Sequence, residues 1–77
     1  MSFTADTMQE LNLLLRYPDS TMEGLKIHHT ADEHIILAAR NLFEKGLTTQ
    51  KDGGYLTDLG QTAAHSASSL QQLLLES

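Results

Sequence analysis

The sequence has 77 residues with no cysteine, and five Lys and Arg against ten Asp and Glu give a formal net charge of −5. A chain of this length makes one domain, which we expect to span residues 1–77, with a small core that disulfides cannot reinforce. The acidic balance disfavours nucleic acid and anionic membranes as general partners, although it permits a local basic patch.

Neither a membrane span nor a signal peptide is expected. The longest uninterrupted apolar run, Ile35–Ala39, has five residues, far short of the roughly 20 residues that cross a bilayer. The first residues show no basic region followed by an apolar run. These features predict a soluble, cytoplasmic protein.

The first predicted helix begins after Thr4 and ends near Arg16. Thr4 is a favourable N-cap, and Phe3 and Met8 have the spacing of a hydrophobic staple. Pro18 disfavours helical geometry in the residue before it, which ends the helix. Apolar residues recur at helical spacing and are expected to face the core: Met8, Leu11, Leu14 and Leu15.

Residues 20–29 allow two interpretations. The segment Ser20–Glu23 fits the S-x-x-E capping box, which would open a short helix. The segment Leu25–His28 alternates apolar and polar residues, as an edge strand does. We expect one turn of helix followed by an extended segment, and the sequence does not decide between a helical turn and a strand.

The central helix is predicted to begin at Thr30, with Glu33 completing a second capping box, and to end before Gly46. Leu37 lies away from the apolar face and is a candidate contact for a protein partner, although a lone exposed leucine is also normal. The residues predicted to face the core are Ile35, Ile36, Ala38, Ala39, Leu42 and Phe43.

A β-hairpin is predicted next, with strands at 47–50 and 55–57. Asp52-Gly53 is the dipeptide favoured in a type I′ turn, where both central residues have positive φ. We expect Leu47 and Leu56 to face inward and Tyr55 to face outward, where it is a second candidate for partner contact.

The last helix is predicted to be capped by Thr57. Leu75 lies off its apolar stripe, which indicates a C-terminal end that is frayed or paired with a partner, and a dimer through this helix is the corresponding hypothesis. The predicted stripe consists of Leu59, Ala63, Ala67, Leu70, Leu73 and Leu74.

The resulting fold is mostly α with a β-hairpin, in the order helix, short connector, helix, β-hairpin wing, helix. The blocks LFEKGL at 42–47 and GGYLTDLG at 53–60 resemble winged-helix regulators over about residues 30–65. This resemblance implies a winged-helix-like fold. For DNA contacts it directs attention to Arg40, Asn41, Lys45 and Lys51.

The whole chain is also similar to a small family of gammaproteobacterial proteins of unknown function. The similarity lies in SFT at 2–4, ELNLL at 10–14, KIHH at 26–29, KGL at 45–47 and the block at 53–60. It implies no activity.

Charge weighs against DNA as the main partner. Between Thr30 and Gly60 there are three cations and five acids, a balance of −2, whereas Lys and Arg contacts to phosphate supply most nonspecific affinity. The leading hypothesis is therefore a non-catalytic interaction module that binds a protein or itself through Leu37, Tyr55 and Leu75. A weak DNA-binding regulator is the alternative.

No catalytic or metal-binding motif stands out. His28, His29, Glu33 and His34 cluster near the start of the central helix, but neither H-E-x-x-H nor H-x-x-E-H occurs. A solvated polar surface is the more common explanation for such a cluster. With no glycine-rich phosphate loop and no nucleophile elbow, we expect no cofactor, no metal and no enzymatic activity.

Overall fold

The computed structural model describes residues 3–17 and 24–75. Its three strands form one antiparallel sheet in the order β1-β3-β2. Helices hold most of the described residues, which confirms the predicted mostly α fold with a β-hairpin. The elements are α1 (Ala5–Leu14), β1 (Leu25–Lys26), α2 (Glu33–Glu44), β2 (Thr48–Gln50), β3 (Gly53–Leu56) and α3 (Asp58–Leu75).

Helix α1 starts as predicted but buries a different face. The side chain of Thr4 accepts a hydrogen bond from the Thr7 N–H at 3.1 Å, so the predicted cap is confirmed. The buried residues are Glu10, Leu13 and Leu14, because this side of α1 packs against α2. The prediction that Met8 faces the core is wrong, since Met8 is half-exposed.

The connector between α1 and α2 contains a short edge strand. Leu25 and Lys26 of β1 lie opposite Gly54 and Gly53 of β3, which supports the extended interpretation of these residues. The helical turn predicted at 20–23 lies outside the residues that the structure describes.

The N-cap of helix α2 lies two residues later than predicted, at Asp32 instead of Thr30. The Ala31 N–H donates to the His28 carbonyl at 3.0 Å, so Thr30 lies in a turn before the helix. Asp32 takes the N-cap position without a side-chain cap hydrogen bond. The capping box predicted for Thr30 and Glu33 is therefore wrong.

The rest of α2 follows the prediction. Its buried residues are Ala38, Ala39 and Leu42, and Leu37 is half-exposed on the other side. Gly46 ends the helix with φ of 81°. The N–H groups of Gly46 and Leu47 donate to the carbonyls of Phe43 and Leu42 at 3.0 and 2.9 Å, the two bonds of a Schellman motif.

The hairpin turn differs from the predicted type I′. Gln50 lies opposite Gly53 and Thr48 opposite Leu56, so two steps along β2 match three along β3. Gly53 and Gly54 have φ of 116° and 71°, and no other residue type in the described chain has positive φ. Asp52 therefore lacks the φ that a type I′ turn requires. The glycines accommodate a bulge in β3 instead.

One threonine joins the hairpin to both neighbouring helices. The Thr57 hydroxyl donates to the Gly46 carbonyl at 2.7 Å and accepts from the Gly60 N–H at 3.0 Å. The Thr57 N–H donates to the Leu47 carbonyl at 3.0 Å. The end of α2 and the start of α3 are thus held by the same side chain, and the predicted cap of α3 is confirmed.

Gly60 allows α3 to lie directly against the start of the hairpin. A Cβ atom at this buried position would lie 1.9 Å from the Leu47 carbonyl oxygen, well inside van der Waals contact. A backbone oxygen fixed by Thr57 cannot move aside as a flexible side chain would. The position therefore requires glycine for steric reasons.

The core joins α1, α2 and the connector, whereas α3 contributes to it with small residues. Leu13, Leu14, Tyr17, Ile27, Ala38, Ala39 and Leu42 form the buried cluster. From α3, Ala67 is buried and Ala63 and Ala64 pack against the cluster. The predicted apolar stripe of α3 is wrong at the positions that the structure leaves exposed, which are Leu59, Leu70, Leu73 and Leu74.

Replacing Gly60 by alanine tests this steric requirement. Helix propensity alone favours alanine over glycine by roughly 1 kcal/mol, but we expect a loss of about 1–3 kcal/mol because the added methyl overpacks the Leu47 backbone. Urea unfolding followed by circular dichroism measures the change. Ser66→Ala on the exposed side of α3 is the control and should stay within about 0.5 kcal/mol of the parent protein. A stabilised Gly60→Ala variant would contradict the packing described.

Candidate functional site

A groove of about 230 Å³ lies between α1 with its flanking residues and the second half of α3. We call it the apolar groove. Its α1 side is formed by Phe3, Met8, Leu11, Asn12 and Leu15, and its α3 side by Ala67, Leu70, Gln71, Leu74 and Leu75. None of these ten residues carries a charge.

The large apolar side chains of this groove are open to solvent. Phe3, Leu74 and Leu75 are 62%, 76% and 72% exposed. Single exposed leucines are common on protein surfaces, but a contiguous apolar patch is typical of an interaction site. The apolar groove is therefore a candidate interaction site.

The exposed length of α3 also lacks charge. From Leu59 to Leu75 it contains no Asp, Glu, Lys or Arg, although such residues make up 19% of the chain. A solvent-facing helix surface normally carries charged side chains, and depletion of charge is typical of the centre of a protein interface. In the sequence, the uncharged run from Leu59 to Leu75 is the feature that indicates this surface.

The structure does not bring the three predicted partner residues together. Leu75 lies in the apolar groove. Leu37 is on α2 and Tyr55 on β3, each half-exposed and outside the residues that line the groove. Partner binding at these three positions stays a prediction.

A second concavity, of about 290 Å³, lies between the end of β1, the face of α2 and the hairpin turn. We call it the basic cleft. It contains three of the five cations of the sequence and, among the described residues, one carboxylate. Its lining consists of Lys26, Ile27, His28, His29, Ile36, Ala39, Arg40, Lys51 and Asp52.

The four predicted DNA contacts fall into different surroundings. Arg40 and Lys51 line the basic cleft, and Asn41 is half-buried outside it. Lys45 forms an ion pair with Glu10. DNA contact by these residues stays a prediction. Its strongest geometric basis is the position of Arg40 and Lys51 in the basic cleft.

The Glu10–Lys45 pair is a structural contact that the sequence analysis missed. The Glu10 side chain is only 9% exposed, and it lies on the face of α1 that also buries Leu13 and Leu14. In the sequence, the i, i+3, i+4 spacing of Glu10, Leu13 and Leu14 already indicated that the three residues share one helix face. Lys45, at the end of α2, supplies the opposite charge and ties the two helices together.

Asp52 is held in the cleft by Lys26. Their side chains form a hydrogen-bonded ion pair, and the Asp52 carbonyl accepts from the Ile27 N–H at 2.8 Å. The hydrogen bond from Lys26 lowers the pKa of Asp52, with its positive charge acting in the same direction. Within residues 3–17 and 24–75, neither Arg40 nor Lys51 has a carboxylate partner.

The described residues do not form a metal centre. Across ranges 3–17 and 24–75, no three His, Cys, Asp or Glu side chains are grouped so that they could hold a metal ion. His28 and His29 line the basic cleft, while His34 lies outside it. The expected lack of a metal and a cofactor stays a prediction.

The fold and its two surfaces define a small, mostly helical protein with a three-stranded antiparallel sheet. No helix in the described part of the chain is both long and apolar enough to cross a membrane. The chain belongs to the family of unknown function DUF5669, whose family model matches residues 1–75. This confirms the predicted membership of an uncharacterised family.

Neither a curated protein nor a solved structure matches the chain. The gammaproteobacterial range and the winged-helix likeness stay predictions.

Replacing Lys45 by methionine leaves the buried Glu10 carboxylate without its cation. We expect a loss of about 1–3 kcal/mol in unfolding free energy, the cost of an unsatisfied buried polar group. Urea unfolding provides the measurement.

Two further variants make this test specific. The double variant Glu10→Met with Lys45→Met removes both charges and should recover much of the loss. Arg40→Met removes a cation from the same helix and should change stability by less than about 0.5 kcal/mol. Equal effects of Lys45→Met and Arg40→Met would contradict a specific Glu10 contact.

The pKa of Asp52 tests the Lys26 contact. Because the folded-state pKa is lowered, this carboxylate contributes stability above its unfolded pKa of about 3.9, and the contribution is lost as pH falls through the folded pKa. Carbon-detected NMR titration should therefore give a pKa below the ordinary value, and Lys26→Met should raise it. Lys51→Met is the matched control, and an equal rise there would contradict the assignment.

Proposed function

We propose that this protein is a non-catalytic self-association module whose apolar groove is covered by a second copy of the chain. The observation that carries the proposal is the exposed, uncharged groove between α1 and α3. Burial of apolar surface is the main favourable contribution to association. A second copy would remove this surface from water.

Charge favours a second copy over a basic partner. Each chain carries a net charge of −5, so a strongly basic protein would gain from contact with acidic regions of the surface. The ten residues of the groove offer such a partner no carboxylate. Two like-charged copies repel each other least when they meet through an uncharged patch of this kind.

The arrangement of the groove suits two-fold pairing. In an isologous dimer the same patch on each subunit contacts its counterpart. Here the leucine-rich end of α3 and the side chains of α1 that could receive it belong to one continuous surface. Leu74 of one copy can therefore enter the groove of the other while the reciprocal contact forms.

The resemblance to winged-helix regulators is consistent with this proposal. The observed element order of helix, strand, helix, hairpin and helix supports the likeness, and in that comparison β2 and β3 form the wing. DNA binding is the second candidate, supported by the position of Arg40 and Lys51 in the basic cleft. Lys45 contributes little to it, because its charge is paired with Glu10.

Sedimentation equilibrium tests self-association. We expect the parent protein to dimerise, and Leu74→Lys to weaken the dimer by more than about tenfold, since it places a charge in the apolar centre of the interface. Leu59→Lys is the matched control on the same helix, because Leu59 is 59% exposed and lies outside the groove. Circular dichroism checks that both variants are folded.

Two results would contradict the proposal. A parent protein that is monomeric at all accessible concentrations excludes association through this groove. A Leu59→Lys variant that weakens the dimer as much as Leu74→Lys places the interface elsewhere on α3.

A further inference from the structure

The basic cleft has two cations whose charge is not balanced locally. Lys26 is paired with Asp52, whereas Arg40 and Lys51 have no carboxylate partner among residues 3–17 and 24–75. They come from separate elements, α2 and the hairpin turn, and line one concavity. Two cations that line one concavity repel each other, and an anion bound between them offsets this repulsion.

The cleft contrasts with the charge of the chain as a whole. Its described lining holds three cations and one acid, a balance of +2. The rest of the sequence holds two cations and nine acids, a balance of −7. A long polyanion that extends past the cleft would be repelled by the negative charge of the rest of the protein. A small anion confined to the cleft would not be.

The other residues that line the cleft indicate which chemical groups such an anion would carry. Ile27, Ile36 and Ala39 give the cleft an apolar wall, and His28 and His29 add ring nitrogens at its edge. Arg binds phosphate oxygens through paired N–H donors, and Lys adds a compact positive charge. A volume of about 290 Å³ accommodates a phosphate group together with a small apolar body.

We propose that the basic cleft binds a small molecule that bears a phosphate monoester, with the phosphate held by Arg40 and Lys51 and the apolar part against Ile27, Ile36 and Ala39. The cleft lies on β1, α2 and the hairpin turn, away from the residues of the apolar groove. This inference therefore stands or falls independently of self-association.

NMR titration of the full chain tests the proposal with three probes: inorganic phosphate, phenyl phosphate and a short duplex oligonucleotide. Phenyl phosphate should shift the amide signals of His28, Arg40 and Lys51, and it should bind more tightly than inorganic phosphate because only its ring contacts the apolar wall. Arg40→Met and Lys51→Met should each weaken binding about tenfold, the loss of one charge-assisted hydrogen bond. Arg16→Met removes a cation outside the cleft and should change the affinity less than about twofold.

Three outcomes would overturn the proposal. Unchanged cleft signals with phenyl phosphate exclude a site for phosphate monoesters. An Arg16→Met variant that weakens binding as much as Arg40→Met shows a response to overall charge only. Tighter binding of the duplex than of phenyl phosphate assigns the cleft to a nucleic-acid backbone.

Discussion

The structure depends on the junction at which the hairpin returns to the helices. The Thr57 hydroxyl donates to the Gly46 carbonyl and accepts from the Gly60 N–H, so one side chain closes α2 and opens α3. The lack of a side chain at Gly60 then allows α3 to lie against the Leu47 backbone. Together these contacts fix the point from which α3 leaves the sheet and the direction in which it runs.

That direction produces the candidate interaction surface. Near the junction α3 meets the core through Ala63, Ala64 and Ala67, small residues that permit close helix approach. Farther along, the core provides no cover, and Leu70 and Leu74 extend beside α1. The apolar groove is thus a consequence of a long helix on a small domain, whose core can bury only part of its apolar residues.

Features set by neighbouring residues were predictable from the sequence. The Gly46 helix end, the Thr57 cap and the core face of α2 all follow from local spacing, and the structure has them. The type I′ turn was wrong because a bulge in β3, which depends on pairing with both neighbouring strands, changed the register.

Features set by distant contacts were not predictable in this way. Helical periodicity describes an apolar stripe but not the direction from which another element packs. Met8 was therefore assigned to the core, Leu74 was placed in a stripe that the core leaves exposed, and Glu10 was overlooked. The basic cleft was predicted only in part, since Arg40 and Lys51 were named as candidate DNA contacts and Lys26 was not. Lys26, Arg40 and Lys51 are far apart in sequence, and the pairing of β1 with β3 is what brings their elements to one concavity.

The proposed interface between two copies of this chain is the apolar groove between α1 and α3. The most direct measurement is an isotope-filtered NOE experiment on an equal mixture of ¹³C-labelled and unlabelled protein. Intermolecular NOEs between the methyl groups of Leu74 and those of Met8 or Leu15 are the predicted result. Intermolecular NOEs confined to residues outside the groove, or no such NOEs in a sample shown to be dimeric, would contradict it.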